Sequence, residues 1–220
     1  FIYDYFKTNS KIKYENNFVY FDKRKISFKE LINTAYLNRI PLSSSGFYKT
    51  NKINVNTKTL QGRPFLYFTY GAAVTEVIID KLTGENKILQ VDIIHDVGNS
   101  INKRIDKGQI EGGYIQGLGW LTTEEVSWKS NGVLTTHSPS TYKIPTAGET
   151  PFKFNVEIYD RGFNKEKVIN RSKAVGEPPF MLAISSFIAL KDAVYNANKG
   201  KNSENLIAPA TAENILKSLH

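Results

Sequence analysis

The chain has 220 residues, 40% of them hydrophobic, which is enough for one large domain or two small ones around a real core. It has no cysteine and three scattered histidines, His95, His137 and His220. That excludes disulfides, cysteine-ligated zinc and any iron–sulfur cluster held by this chain, and a metal is expected only inside a cofactor, with no residue assigned as a metal ligand.

The formal net charge of +8 is distributed along a chain also rich in asparagine and isoleucine. With no basic recognition helix or aromatic RNA-binding motif, it argues against a nucleic-acid partner. Residue 1 is phenylalanine and the single methionine is Met181, so the chain is expected to begin inside a longer polypeptide. The opening FIYDYFKTNSKIKYENN has charges where a signal peptide needs an apolar segment, and no apolar stretch is read as long enough to span a bilayer. A cytoplasmic protein without a membrane partner is expected.

In chain order, residues 18–22 read as a strand and residues 27–38 as a helix, opened by Ser27 and Glu30 at capping-box spacing. PLSSSGFYKT then breaks regularity, dividing the chain into an N-terminal region, 1–41, and a larger region, 42–220. FLYFTYGAAVTEVIID and KILQVDIIHDV, joined by DKLTGEN, predict a β-hairpin. A helix is expected over residues 106–122, a strand pair at 125–128 and 133–136, and a strand at 153–159. A second helix follows Pro178 and Pro179, whose fixed φ suits a first turn, and runs to about residue 198. Its early apolar residues surround the axis, which predicts an N-terminal half buried on all sides and Glu177 at a deep helix start.

Two groups of residues could carry chemistry. In GQIEGGYIQGLGW, Gln109, Gly112, Gly113, Gln116 and Gly117 fall on one helical face, a bare ledge with two carboxamides. Each interior glycine costs about 1 kcal/mol relative to alanine, so the ledge serves either close helix packing through Gly113 and Gly117 or the approach of something flat. Gln109, placed at the helix start, could pair with a heterocycle edge or a phosphate with help from free N–H groups. Glu177 is either a structural turn residue or a base, with burial raising its pKa and the helix N-terminus and Lys173 lowering it. His95–Asp96 has no accompanying nucleophile elbow and reads as structural.

The blocks GRPFLYFTYGAAVTEV, DIIHDVGNSIN, GQIEGGYIQGLGWLTTEE, PSTYKIPTAGE, RSKAVGEPPFMLAIS and APATAENIL resemble, in this order, the molybdenum-binding subunit of bacterial xanthine dehydrogenases. These enzymes belong to the xanthine oxidase family of molybdenum hydroxylases, and the likeness is to the C-terminal part of the subunit. It covers residues from PLSSSGFYKT onward and weakens over the first forty.

The resemblance implies an α+β fold of mixed sheets with packed helices, with 42–220 as the C-terminal molybdopterin-binding region. It implies molybdopterin as cofactor, Glu177 as the general base of hydroxylation, and Gln109, with Gly112 and Gly113, as cofactor contacts. It further implies a purine substrate such as hypoxanthine or xanthine, an upstream portion completing the pocket, and iron–sulfur clusters and FAD on other domains or subunits. An aldehyde or other N-heterocycle oxidase shares the base motif. A non-catalytic scaffold is the reading from another class, and the acid at position 177 argues against it.

Overall fold

The computed structural model describes residues 1–200 and 205–219, in two units, Phe1–Asn51 and Lys52–His220. In the first, helix α1 (Ile2–Tyr5) precedes an antiparallel meander, β1 (Lys13–Glu15), β2 (Phe18–Phe21) and β3 (Arg24–Ser27), followed by α2 (Phe28–Leu37). Alternation along β2 buries Val19 and Phe21 with Ile2 and Leu31. The Ser27 hydroxyl accepts the Glu30 N–H at 3.1 Å, so α2 starts where the cap spacing predicted.

In the second unit, a short ribbon of β4 (Asn54–Asn56) and β5 (Gln61–Arg63) precedes a sheet of β6 (Gly71–Ile79), β7 (Asn86–His95) and β8 (Lys153–Ile158). β6 and β7 form the expected hairpin, and β8 runs parallel to β7 on its other side. β6 begins later than the aromatic run suggested. The Arg63 guanidinium binds the carbonyls of Phe65 and Leu66 at 3.2 and 2.9 Å, holding them out of the ladder.

In β7, Glu76 pairs with Gln90 and Val77 with Ile88, leaving Leu89 as a bulge. That extra residue shifts the buried positions from Ile88 to Val91, Ile93 and His95, turning the far half of the strand to the core.

Helix α3 (Lys103–Thr122) lays Ile110, Tyr114 and Leu118 against the sheet, forming the main core with Ile88, Val91, Ile93, Val97, Val156 and Ala183. It starts three residues before the expected position because Asn102 Oδ1 accepts the Arg104 and Ile105 N–H groups, at 3.1 and 3.2 Å. The expected pair at 125–136 reduces to a single bridge, Trp128–Leu134. Backbone bonds flank the bridge, from the Thr135 N–H to the Ser127 carbonyl and from the Lys129 N–H to the Val133 carbonyl, both 2.9 Å, but the Ser127 N–H is taken by Thr136 Oγ1, so the pairing goes no further.

The run after Glu177 is not one helix. Pro178–Ala183 forms 3₁₀ turns, and α4 (Ile184–Ala197) follows. A second core joins Leu190 and Val194 of α4 to Leu206, Ala210 and Ile215, the last on α5 (Ala212–Leu219).

Pro178–Ala197 is, by length and composition alone, long and apolar enough to cross a membrane, which corrects the expectation that no stretch is. Here Ala183, Ser186, Leu190 and Val194 pack inward. The expected burial on all sides is also overturned. Met181, Ile184 and Ile188 lie about half exposed, because α3 and the sheet cover only one side of the segment.

Candidate functional site

The glycine ledge divides in two. Gly113 and Gly117 are buried, with a Cβ at Gly113 meeting the Gly176 carbonyl oxygen at 2.9 Å and one at Gly117 meeting the Phe180 carbonyl oxygen at 2.5 Å. These two let α3 lie backbone to backbone against the turn leading into the 3₁₀ segment. Gly112 has nothing within 4 Å of its Cβ position and is exposed, as are Gln109 and Gln116. Gln109 stands in the second turn of α3, not at its start. The Asn102 side chain occupies the N–H groups that were expected to help it bind, so that contribution is withdrawn.

The carboxamide of Gln109 reaches the Glu177 turn, its Oε1 lying 3.4 Å from the Cβ position of Gly176. Glu177 itself is exposed, which corrects its expected deep burial. Its carbonyl accepts the Phe180 N–H at 2.9 Å, while its side chain makes no cap hydrogen bond. Among the described residues its carboxylate has no ion-pair partner. Lys173, expected to lower the acid's pKa, is committed elsewhere: its Nζ donates to Asp96 Oδ2 at 2.5 Å. The site is therefore an open carboxylate one residue beyond Gly176, the turn position that the Gln109 carboxamide touches, on a turn packed against α3 at Gly113.

At the end of β7, His95 is buried and its Nδ1 has no hydrogen-bond partner among the described residues. Burial pushes its pKa below the usual 6.5, with Lys173 acting in the same direction against an opposing effect of Asp96. Under the turn, Thr75 of β6 bonds Tyr114 of α3 at 3.0 Å and Ser185 of α4 at 2.8 Å, and Tyr114 also bonds Ser186. These hydroxyls tie the sheet to both helices that flank the site.

A cavity of about 750 Å³ lies among Ile79, Asp80, Thr122, Lys143 and Glu149. It contains none of the candidate residues and sits at the opposite end of α3, which at 1.5 Å per residue is roughly 20 Å from Gln109.

The model of the molybdopterin cofactor-binding domain matches residues 6–151. The chain belongs to that family. The matched stretch includes Gln109, Gly112 and Gly113 and stops before Glu177. The chain is 47% identical over 195 residues to a xanthine dehydrogenase/oxidase of Felis catus, and 46% identical over 199 residues to a xanthine dehydrogenase of Oryza sativa subsp. japonica. Each match takes in 86% of this chain but only 15% and 14% of those proteins. In structure it is similar to quinoline 2-oxidoreductase from Pseudomonas putida 86, with a TM-score of 0.63 and 25% identity over 94% of this chain and 25% of that one. The α+β architecture and the molybdopterin-binding family read from the motifs are both borne out.

One pair escaped the sequence reading. Asp96 and Lys173 are 77 residues apart, and no spacing rule connects them. Their only signal is that each lies inside a block carrying the family resemblance.

Proposed function

We propose that this chain forms the base-bearing part of a cytoplasmic molybdenum hydroxylase acting on purines such as hypoxanthine and xanthine. The observation that carries the proposal is the exposed Glu177 carboxylate, unpaired among the described residues, on the turn that Gln109 touches at Gly176, in a chain of the molybdopterin-binding family. The residues fit the cofactor. A carboxamide offers both donor and acceptor to the hetero-atom edge of a pterin, and the open Cβ position of Gly112 leaves room for close approach to the backbone. Gln109 and Gly112 would hold the cofactor, with Gly113 setting the Gly176 carbonyl, and so the Glu177 turn, against α3.

When bound, the cofactor supplies the two-electron oxidation that turns a substrate C–H and water into C–OH, two protons and two electrons. Glu177 takes up one of those protons. A carboxylate with no ion-pair partner among the described residues is free to accept it. The electrons leave through iron–sulfur clusters and FAD on other domains or subunits, since this chain has no cysteine to hold a cluster.

Oxidation of a different N-heterocycle is the second reading, favoured by the structural likeness to quinoline 2-oxidoreductase. Comparing kcat/KM for xanthine, hypoxanthine, quinoline and an aldehyde in the complete enzyme separates the two, with a purine expected to be the best substrate.

The base assignment is tested by Glu177→Gln in the complete enzyme. Molybdenum content is expected to stay at the parent level while turnover falls by about 10²–10⁴-fold, the usual worth of general-base assistance. Turnover within a factor of about two of the parent would sink the assignment.

A further inference from the structure

The chain that delivers Glu177 is fastened four residues earlier. Lys173 is buried together with Asp96, their side chains 7% and 10% exposed. Asp96 lies just beyond β7, where its Oδ1 accepts the Gly98 N–H at 2.8 Å while its Oδ2 takes the lysine. The backbone follows the same path. The Lys173 N–H donates to the Val97 carbonyl at 2.8 Å, and the Asn99 N–H to the Arg171 carbonyl at 3.1 Å. The Ala174 N–H donates to the Tyr67 hydroxyl at 3.0 Å.

Gly98 makes the close approach possible. Its φ is +61°, and a Cβ there would come within 2.5 Å of the Arg171 carbonyl oxygen. Beyond Ala174 the anchored chain passes Val175, packed on the core, and Gly176, set against Gln109, before reaching Glu177.

We infer that Lys173 is a positioning residue for Glu177: its ion pair with Asp96 locks the stub of chain from which the base projects. The inference rests on the reading of Glu177 as the base. An exposed carboxylate without hydrogen bonds of its own among the described residues takes its place from the backbone that carries it, and that backbone is fixed by the 96–99 and 171–174 contacts. Pairing also keeps the lysine's charge on Asp96, away from the base.

The test compares Lys173→Met, Asp96→Asn, the double variant Lys173→Gln/Asp96→Asn and Glu177→Gln in the complete enzyme. Turnover is expressed per bound molybdenum, and amide hydrogen exchange is followed over residues 171–177. Asp96→Asn keeps an acceptor for the Gly98 N–H and provides a readout if Lys173→Met does not fold.

Each single variant at 96 or 173 is expected to lower kcat about tenfold to hundredfold, the scale of a small misplacement. KM should change less than about twofold, and exchange at 171–177 should rise. The neutral double variant keeps a hydrogen-bonding pair and recovers most of the loss.

If Glu177→Gln is inactive but Asp96→Asn keeps kcat per molybdenum within about twofold of the parent, the positioning role is overturned and the base reading stands. A loss confined to molybdenum content or yield, with kcat per molybdenum unchanged, overturns it too. An active Glu177→Gln removes the base reading and the positioning role with it.

Discussion

His95 shows how one residue beside the site ties stability to pH. Its pKa is lowered in the fold because burial disfavours the imidazolium. Below the unfolded value of 6.5 the unfolded chain binds a proton that the folded chain refuses, so stability falls as pH drops through that value. It goes on falling until the depressed folded pKa is reached, with a slope of at most about 1.4 kcal/mol per pH unit. Denaturation midpoints at pH 7.5 and 5.5 are expected to show a smaller acid-side drop for His95→Leu than for the parent. An equal drop would place the sensitivity elsewhere. At this scale the sequence was only partly legible. Residue type pointed to Glu177 and Gln109, but the exposure of Glu177 depends on what covers it, and the capture of Lys173 depends on a partner 77 residues upstream. Neither is a local property of the chain.

Among the elements, the decisive contact is α3 against the 3₁₀ segment, and its two kinds of glycine predict opposite outcomes. In Gly117→Ala the new methyl meets the Phe180 carbonyl oxygen at 2.5 Å and Ala183 Cβ at 2.8 Å. The two segments must separate, and both thermal stability and molybdenum content are expected to fall. In Gly112→Ala the methyl enters open space, and alanine favours the helix by about 1 kcal/mol. Stability should hold or rise while molybdenum content drops, because on the proposed reading the methyl occupies room left for the cofactor. Calorimetry and metal analysis of the two purified variants check this, and unchanged metal in Gly112→Ala would make that position ordinary surface. Helix period and strand composition revealed α3, β7 and β8 in the sequence. The Leu89 bulge, the early α3 start at Asn102 and the 3₁₀ turns after Pro178 were hidden, because each depends on a few hydrogen bonds rather than on a repeating pattern.

For the whole molecule, the exposed apolar side chains of the second unit carry the expectation. Phe65, Phe68, Tyr70, Met181, Ile184 and Ile188 are all at least half exposed or nearly so, and surface of that kind favours association. Produced alone, the chain is expected to self-associate with rising concentration in sedimentation and to bind a hydrophobic dye. Both effects should diminish when the proposed upstream portion is co-expressed, and a monodisperse, dye-silent monomer would contradict this. The parallel pairing of β7 with β8 has a further consequence, in time rather than space. β8 joins only after the chain has travelled through α3 and the loops beyond it, and the Lys173 anchor closes later still on the end of β7. Such long-range closures come late in folding and set its rate. The Glu177 carboxylate is thus among the last features to take its place as the chain folds, and a polypeptide cut short in synthesis before residue 173 could build most of the sheet without yet holding the acid proposed as the base.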